Sequence, residues 1–134
     1  MVWFARKQKE RALAKKVDFF DQKIGDDGIA ALAADLVASQ VTELNLYNNN
    51  IGDRGAETLA AALPKSLRVL RLSFNNIGDR GAEALADALP ASLVRLYLDF
   101  NMIGPRGVKR LERLGGVDVH LNSQFPPSQR TLYV

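Results

Sequence analysis

The stretch NNIGDRGAEALADALPASL occupies residues 75–93, and residues 49–67 read NNIGDRGAETLAAALPKSL, nearly the same sequence 26 residues earlier. The shared pattern L-x-L-x-x-N-x-I-G has three full copies, which start at Leu44, Leu70 and Leu96. A weaker copy starts at Val17, and a partial copy, VDVHLN, starts at Val117 after a shorter interval of 21 residues. A constant period of this length is typical of a repeat protein, in which each unit packs on its neighbours.

Within each unit, the spacing of the apolar residues changes from every second residue to the spacing of a helix. Leu70 and Leu72 alternate with polar residues, which predicts a short strand. After this strand the apolar residues recur at helical spacing, namely at Ala82, Leu85, Ala86 and Leu89. Asp79 is expected to cap its own helix, as are the equivalent Asp26 and Asp53, and Pro90 is expected to end the helix. One strand and one helix cannot bury their apolar sides alone, so neighbouring units must cover them.

A column of amide side chains follows the strands. It begins with Gln22 and continues as a structural ladder of Asn49, Asn75, Asn101 and Asn122. A short amide both donates and accepts hydrogen bonds, so stacked units would use this ladder to satisfy buried loop backbone.

The pattern L-x-x-L-x-L-x-x-N-x-I-G-x-x-G-A-x-x-L-A-x-A-L resembles the ribonuclease-inhibitor-like class of leucine-rich repeats. The resemblance implies an α/β fold, a right-handed solenoid that forms a short arc, with parallel strands on the concave face and helices on the convex face. The exposed ends of such an array need caps, so we expect an N-terminal capping helix at residues 1–15, about four units plus a partial fifth strand at 16–122, and a C-terminal tail or cap at 123–134. The unit of 26 residues is shorter than the alternating units of ribonuclease inhibitor, and the ladder has Asn where that protein often has Cys.

Composition excludes several classes of site. The chain has no cysteine, so disulfides, thiol nucleophiles and thiolate metal sites are impossible. No run approaches the roughly 20 apolar residues of a membrane span, and the charged N-terminus does not read as a signal peptide, so a cytoplasmic location is expected. Residues 1–16 carry six basic groups and one acidic group, whereas the rest of the chain carries 12 basic and 14 acidic groups. The body of the protein is therefore not basic, and nucleic acid is not an expected partner.

No catalytic, cofactor or metal site is predicted. His120 and Asp118 share one face of the last strand, but the candidate nucleophile Ser73 is two units away, roughly 10 Å at about 4.8 Å per strand. Arginine recurs in the first turn of successive helices, at Arg54, Arg80 and Arg106. This recurrence follows from the repetition of the structural unit. These arginines are interpreted as solvated surface residues, not as groups that stabilise phosphate charge.

Protein–protein recognition on the concave face is the predicted function. The outward strand positions vary between units while the inward positions stay apolar, and tyrosine and arginine commonly anchor interfaces. Lys16, Asp18, Val69, Asp118 and His120 share this face, whose mixed charge singles out neither an acidic nor a basic partner. Phe74 and Phe100 are expected only to pad the strand layer, because Leu121 is assigned to their column. The predicted partner-binding residues are Phe20, Glu43, Asn45, Tyr47, Arg71, Ser73, Arg95, Tyr97 and Asp99.

Several alternatives stay open. The domain could regulate a small GTPase in the manner of a GTPase-activating protein, or act as a self-assembling structural element, with monomer or weak dimer as the expected state. The basic N-terminus either caps the first unit through Trp3, Phe4, Ala12 and Leu13 or contacts a membrane or an acidic partner. The C-terminal segment either folds over the last strand through Phe125, Leu132 and Tyr133 or presents a free LYV end.

Overall fold

Strands and helices alternate along the computed structural model, which describes residues 15–124. The predicted capping helix therefore lies outside the described residues except for Lys15, and so does the tail beyond Gln124. The five strands form one parallel sheet in the order β1-β2-β3-β4-β5. The elements are β1 (Lys16–Asp18), α1 (Gly25–Leu36), β2 (Glu43–Asn45), α2 (Asp53–Ala60), β3 (Val69–Arg71), α3 (Asp79–Ala88), β4 (Arg95–Tyr97), α4 (Pro105–Glu112) and β5 (Asp118–His120).

The register of the sheet places equivalent residues of successive units side by side. Leu44 pairs with Leu70, and Leu70 pairs with Leu96. Two residues further on, Leu46, Leu72 and Leu98 form a second inward column and are fully buried in the same core as the apolar faces of the helices. The predicted α/β solenoid of parallel strands and alternating helices is confirmed.

The asparagine ladder is buried and fully engaged in the middle of the array. The Oδ1 atom of Asn75 accepts hydrogen bonds from the backbone N–H groups of Asn49 (3.0 Å) and Ile51 (2.9 Å). Its Nδ2 atom donates to the carbonyls of Leu46 and Leu72, both at 3.0 Å. Asn49 and Asn101 make equivalent bonds to their own neighbours. Each asparagine therefore joins its own loop to the loop of the preceding unit.

The prediction for the last rung is wrong. Asn122 is exposed, and Gln124 holds the ladder position, because its Oε1 accepts from the N–H of Ile103 and its Nε2 donates to the carbonyl of Leu98. Val119 pairs with Leu96, so the last interval is 23 residues. Val117 and Val119 are both apolar, and a shift of two residues preserves the inward and outward alternation of a strand. Periodicity alone therefore could not distinguish the two registers.

The repeated spacing of aspartate and glycine serves a contact between units, which corrects the assignment of aspartates to their own helices. The Oδ1 atom of Asp53 accepts from the backbone N–H groups of Gly78 (2.7 Å) and Gly81 (2.9 Å), which lie at the start of the next helix, α3. Asp26 caps α2 and Asp79 caps α4 in the same way. Each of these helix starts is thus stabilised by the carboxylate of the preceding unit.

Gly81 is required by this close approach. A Cβ atom at this position would lie 2.8 Å from Asp53 Oδ1 and 2.9 Å from the Cγ2 atom of Ile77. In α4 the aspartate is replaced by Pro105 at the first helical position, where a missing N–H is tolerated. Within residues 15–124 no further helix follows α4 that would need such a cap.

Candidate functional site

The strand face comprises the outward side chains of β1–β5 and of the loop residues that follow each strand. Four aromatic rings cross this face as a continuous stack, which we call the aromatic ridge. The ring centroids are 5.1 Å apart from the first to the second ring, then 5.0 Å and 4.2 Å along the rest of the stack. The aromatic ridge consists of Phe20, Tyr47, Phe74 and Phe100.

Phe74 and Phe100 reach the ridge from an unusual backbone conformation. Their φ angles are +59° and +58°, and the equivalent residues Asp21, Asn48 and Ser123 share this left-handed geometry. Aspartate and asparagine adopt positive φ readily, whereas a bulky residue there is an outlier that stores strain. The assignment of Leu121 to the column of Phe74 and Phe100 is wrong, since the register of β5 places Leu121 beside Leu98. Phe74 is 39% exposed, and the interpretation of both rings as padding of the strand layer stays a prediction.

Sequence reasoning therefore missed two residues of the face, although a signal was present. The column that holds Asp21 and Asn48 in the first two units changes to phenylalanine in the next two. A phenylalanine where the other units carry residues suited to positive φ is a local inconsistency, and such inconsistencies concentrate at functional positions.

A second row of side chains runs beside the ridge. The guanidinium carbon of Arg71 lies 4.9 Å from the centroid of the Tyr97 ring, and Tyr97 stacks on His120 with centroids 4.5 Å apart. Among the described residues, the hydroxyls of Tyr47 and Tyr97 have no hydrogen-bond partner, and Arg95 is exposed without an ion pair. The strand face therefore presents the Arg95 guanidinium and two phenolic hydroxyls that are not used within the described part of the chain.

The carboxylates of the strand face, by contrast, accept bonds from the protein itself. Asp18 accepts from the N–H of Phe20 and from Asn45, and Glu43 pairs with Lys16 at 3.4 Å. Asp99 accepts from the N–H of Asn122 at 2.7 Å and, over a longer distance of 3.5 Å, from the hydroxyl of Ser73. Asp118 contacts the Nε2 atom of His120 at 3.2 Å. These bonds hold the carboxylates in place on the strand face, and each carboxylate keeps lone pairs that a ligand could use.

A shallow depression of about 290 Å³ lies between the ridge and the second row. Five predicted partner-binding residues line it together with both phenylalanines, namely Tyr47, Arg71, Ser73, Tyr97, Asp99, Phe74 and Phe100. Glu43 and Asn45 line a separate depression near β1. Ser73 and Val69 point to this face but are only 6% and 8% exposed, so they offer little area for contact.

The recurring arginines of the helix surface form ion pairs between units. Arg54 bonds to Asp27 at 2.9 Å, Arg80 bonds to Glu57, and Arg106 bonds to Glu83. The hydrogen bond to Asp27 raises the pKa of Arg54 above its usual value, and the hydrogen bond to Glu83 does the same for the pKa of Arg106. Exposed pairs of this kind contribute little to stability, so they mainly fix the charge pattern of the helix surface.

Residues 15–124 contain no group of three or more His, Asp or Glu side chains arranged to hold a metal ion. No helix in that range has the length and apolar composition that a membrane crossing requires.

Comparison with known proteins identifies the repeats. The family model described as Leucine Rich repeat matches residues 39–60 and 64–86. A solved structure described as leiomodin-1 actin-binding site 2 is similar, with a TM-score of 0.72 over 94% of this chain and 82% of that chain. The two sequences are 19% identical, a level at which the likeness shows the fold alone. No curated protein matches the chain in sequence.

Proposed function

Because this chain is a leucine-rich-repeat protein, we propose that it is a non-catalytic interaction module whose strand face binds a protein partner. The observation that carries the proposal is the aromatic ridge, in which rings are held on the surface at the cost of backbone strain at Phe74 and Phe100. Strain of this kind persists only where the surrounding structure enforces it, and it is concentrated at ligand-binding positions.

The face suits recognition because it is preformed. Its side chains stand on a parallel sheet whose loops are tied together by the buried ladder of Asn49, Asn75 and Asn101. Docking on a rigid surface orders little backbone, so the free energy of contact is not offset by a large loss of conformational entropy. Tyrosine, phenylalanine and arginine are enriched in the buried centres of such interfaces.

The proposed residues have different roles. Phe20, Tyr47, Arg71, Arg95 and Tyr97 are the proposed anchors, because each presents an aromatic ring or a guanidinium on the strand face. The other proposed contacts surround them, and their hydrogen bonds within the protein hold the face in shape. This second group consists of Glu43, Asn45, Ser73 and Asp99.

Affinity capture from the source cell with a matched pair of baits tests this proposal. The double variant Tyr47→Ala/Tyr97→Ala removes one ring from the ridge and one from the second row. We expect it to lose the captured protein while it stays folded, with a melting temperature lowered only by the loss of these surface ring contacts, because both rings are partly exposed. Val37→Ala is the control, since Val37 is an exposed apolar residue at the end of α1, away from the strands.

Retention of the same partner by the folded double variant would place the binding surface elsewhere. Unfolding of the double variant would instead assign both tyrosines a structural role. Actin is one partner to test directly by co-sedimentation, since the similar structure is described as an actin-binding site. The cytoplasmic location and the ribonuclease-inhibitor-like class stay predictions.

The two rival functions have their own tests. Acceleration of GTP hydrolysis by this chain would favour regulation of a small GTPase, although Arg54, Arg80 and Arg106 are already paired with carboxylates. Self-assembly is favoured by one observation, a depression of about 540 Å³ at the β5 and α4 end of the array, which is lined mainly by valine and leucine. Light scattering over a range of concentrations would detect dimers formed through that end.

A further inference from the structure

We propose that residues 125–134 of this chain cover the C-terminal end of the array and pack their apolar side chains into the depression between β5 and α4. This inference does not depend on the proposed binding role of the strand face, which other side chains form. A repeat array has an apolar surface at each end that needs to be covered. At this end the depression has a volume of about 540 Å³ and is lined mainly by Val108, Leu111, Leu114, Val117, Val119 and Leu121.

The last unit lacks the cover that the inner units have. Leu98 is fully buried, whereas Leu121, which continues its column in the last unit, is only half-buried. The helix side shows the same difference, since Ala82 of α3 is fully buried and the equivalent Val108 of α4 is half-buried. An apolar layer that the inner units bury is therefore partly exposed to water at this end, and its burial would stabilise the fold.

The last strand also has an open backbone edge. The N–H of Asp118 donates to the carbonyl of Val94 at 2.8 Å. The carbonyl of His120 accepts from the N–H of Leu98, also at 2.8 Å. Successive residues of a strand direct their N–H and C=O groups to opposite edges, so the backbone groups of Val119 face away from β4. Within residues 15–124 no strand follows β5 in the sheet, so a segment that runs along β5 would satisfy these groups and cover the apolar layer together.

The chain itself supplies such a segment. Gln124 is held beside the depression, because its Nε2 atom donates to the carbonyls of Leu98 (2.8 Å) and Leu121 (3.2 Å). The ten residues that follow, FPPSQRTLYV, span up to about 33 Å when extended, which is enough to reach any part of the depression. Their apolar side chains other than proline are Phe125, Leu132, Tyr133 and Val134.

A second copy of the chain fits this surface less well. A stable dimer interface has about 20–30 residues on each side, whereas eight residues line the depression. A tethered segment also has an effective concentration of about millimolar, which a separate chain in dilute solution does not reach. We therefore expect the chain's own residues to fill the depression before a second copy can bind.

The test is NMR spectroscopy of the full chain, in which nuclear Overhauser effects report protons in close contact. We expect such effects between the side chains of Leu132 or Tyr133 and the methyl groups of Val108, Val119 and Leu121. Their absence would overturn the inference, since the segment would then not occupy the depression. In a mixture of isotope-labelled and unlabelled chains, effects that arise only between chains would assign the surface to a second copy and would also overturn the inference.

A matched pair of variants measures what this contact contributes. Leu132→Asp/Tyr133→Asp places two charges on apolar positions, and Ser128→Asp/Gln129→Asp adds the same charge at polar positions of the same segment. Both are expected to remain folded, because the core within residues 15–124 is unchanged. We expect the first variant to lower the melting temperature by about 3 °C or more and to speed amide hydrogen exchange at Val119 about tenfold or more, and the second to change neither. Equal melting temperatures and exchange rates in the two variants would overturn the inference and leave the proposed function of the strand face intact.

Discussion

At the scale of single residues, the ladder asparagines have a larger effect on stability than their size suggests. Asn75 is 5% exposed and satisfies two backbone N–H groups and two carbonyls of adjacent loops. Because each orphaned buried group costs about 1–3 kcal/mol, Asn75→Ala is expected to lower the free energy of unfolding by about 3 kcal/mol or more. Urea denaturation followed by circular dichroism measures this loss.

The neighbouring asparagine is the matched control. The side chain of Asn76 bonds only to the exposed Asn50, so Asn76→Ala is expected to change the free energy of unfolding by less than about 0.5 kcal/mol. Equal effects at the two positions would show that the ladder does not stabilise the loops more than a surface contact does.

Phe74 illustrates a balance of opposing terms at the same scale. Its left-handed backbone costs about 1–2 kcal/mol, and asparagine tolerates this conformation with less strain. Against this gain, Phe74→Asn removes ring contacts with both Tyr47 and Phe100, and aromatic pairs are worth about 0.5–1.5 kcal/mol each in addition to their area burial. The net change in the free energy of unfolding, measured by thermal unfolding, is therefore expected to be a loss of no more than about 2 kcal/mol. A loss above about 2 kcal/mol would identify Phe74 as a structural residue.

At the scale of elements, the helices depend on carboxylates from the preceding unit. Asp26→Ala removes the acceptor of the Gly52 and Gly55 N–H groups at the start of α2, and a lost helix cap costs about 1–2 kcal/mol. The adjacent Asp27 is highly exposed and only pairs with Arg54, so Asp27→Ala is expected to have a much smaller effect. Chemical denaturation of the two variants measures the difference. If Asp27→Ala were the more damaging change, the capping assignment would be incorrect.

The elements also show how far sequence can predict this structure. The strand and helix of each unit and the rungs at Asn49, Asn75 and Asn101 follow from periodicity, because identical units must bury identical residues. The capping of one helix by the previous unit does not follow, since aspartate in a first turn reads as a local cap. The register of β5 could not be predicted, because Val117 just before the strand and Val119 within it are both apolar and fit the repeat pattern equally well.

Prediction of the strand face was incomplete for a related reason. Alternation correctly places Tyr47, Arg71 and Tyr97 on one side of the sheet. Alternation does not specify that Ser73 is covered by its surroundings or that a positive φ turns Phe74 outward. Both features depend on the neighbouring units and on the loop backbone, which the alternation of apolar and polar residues does not specify.

At the scale of the whole molecule, interactions run almost entirely between adjacent units. Each helix packs on the next helix, and each strand pairs with the next strand. The ladder, the aspartate caps and the arginine pairs obey the same rule. Stability is therefore expected to be a sum over units and interfaces between neighbours, as in other repeat proteins.

Excision of one whole unit tests this additivity. Removal of residues 50–75 joins Asn49 to Asn76 and restores the sequence NNNIGDRGA, so the asparagine ladder, the aspartate caps and the strand register keep equivalent partners. We expect a folded chain with one strand and one helix fewer, a lower melting temperature, and a urea m-value smaller by about a fifth, because m scales with the surface exposed on unfolding. Removal of residues 50–71 deletes a similar length but shifts the ladder out of register, and it is expected to abolish cooperative unfolding. If the two shortened chains unfolded with equal cooperativity, the period of 26 residues would not be what specifies the fold.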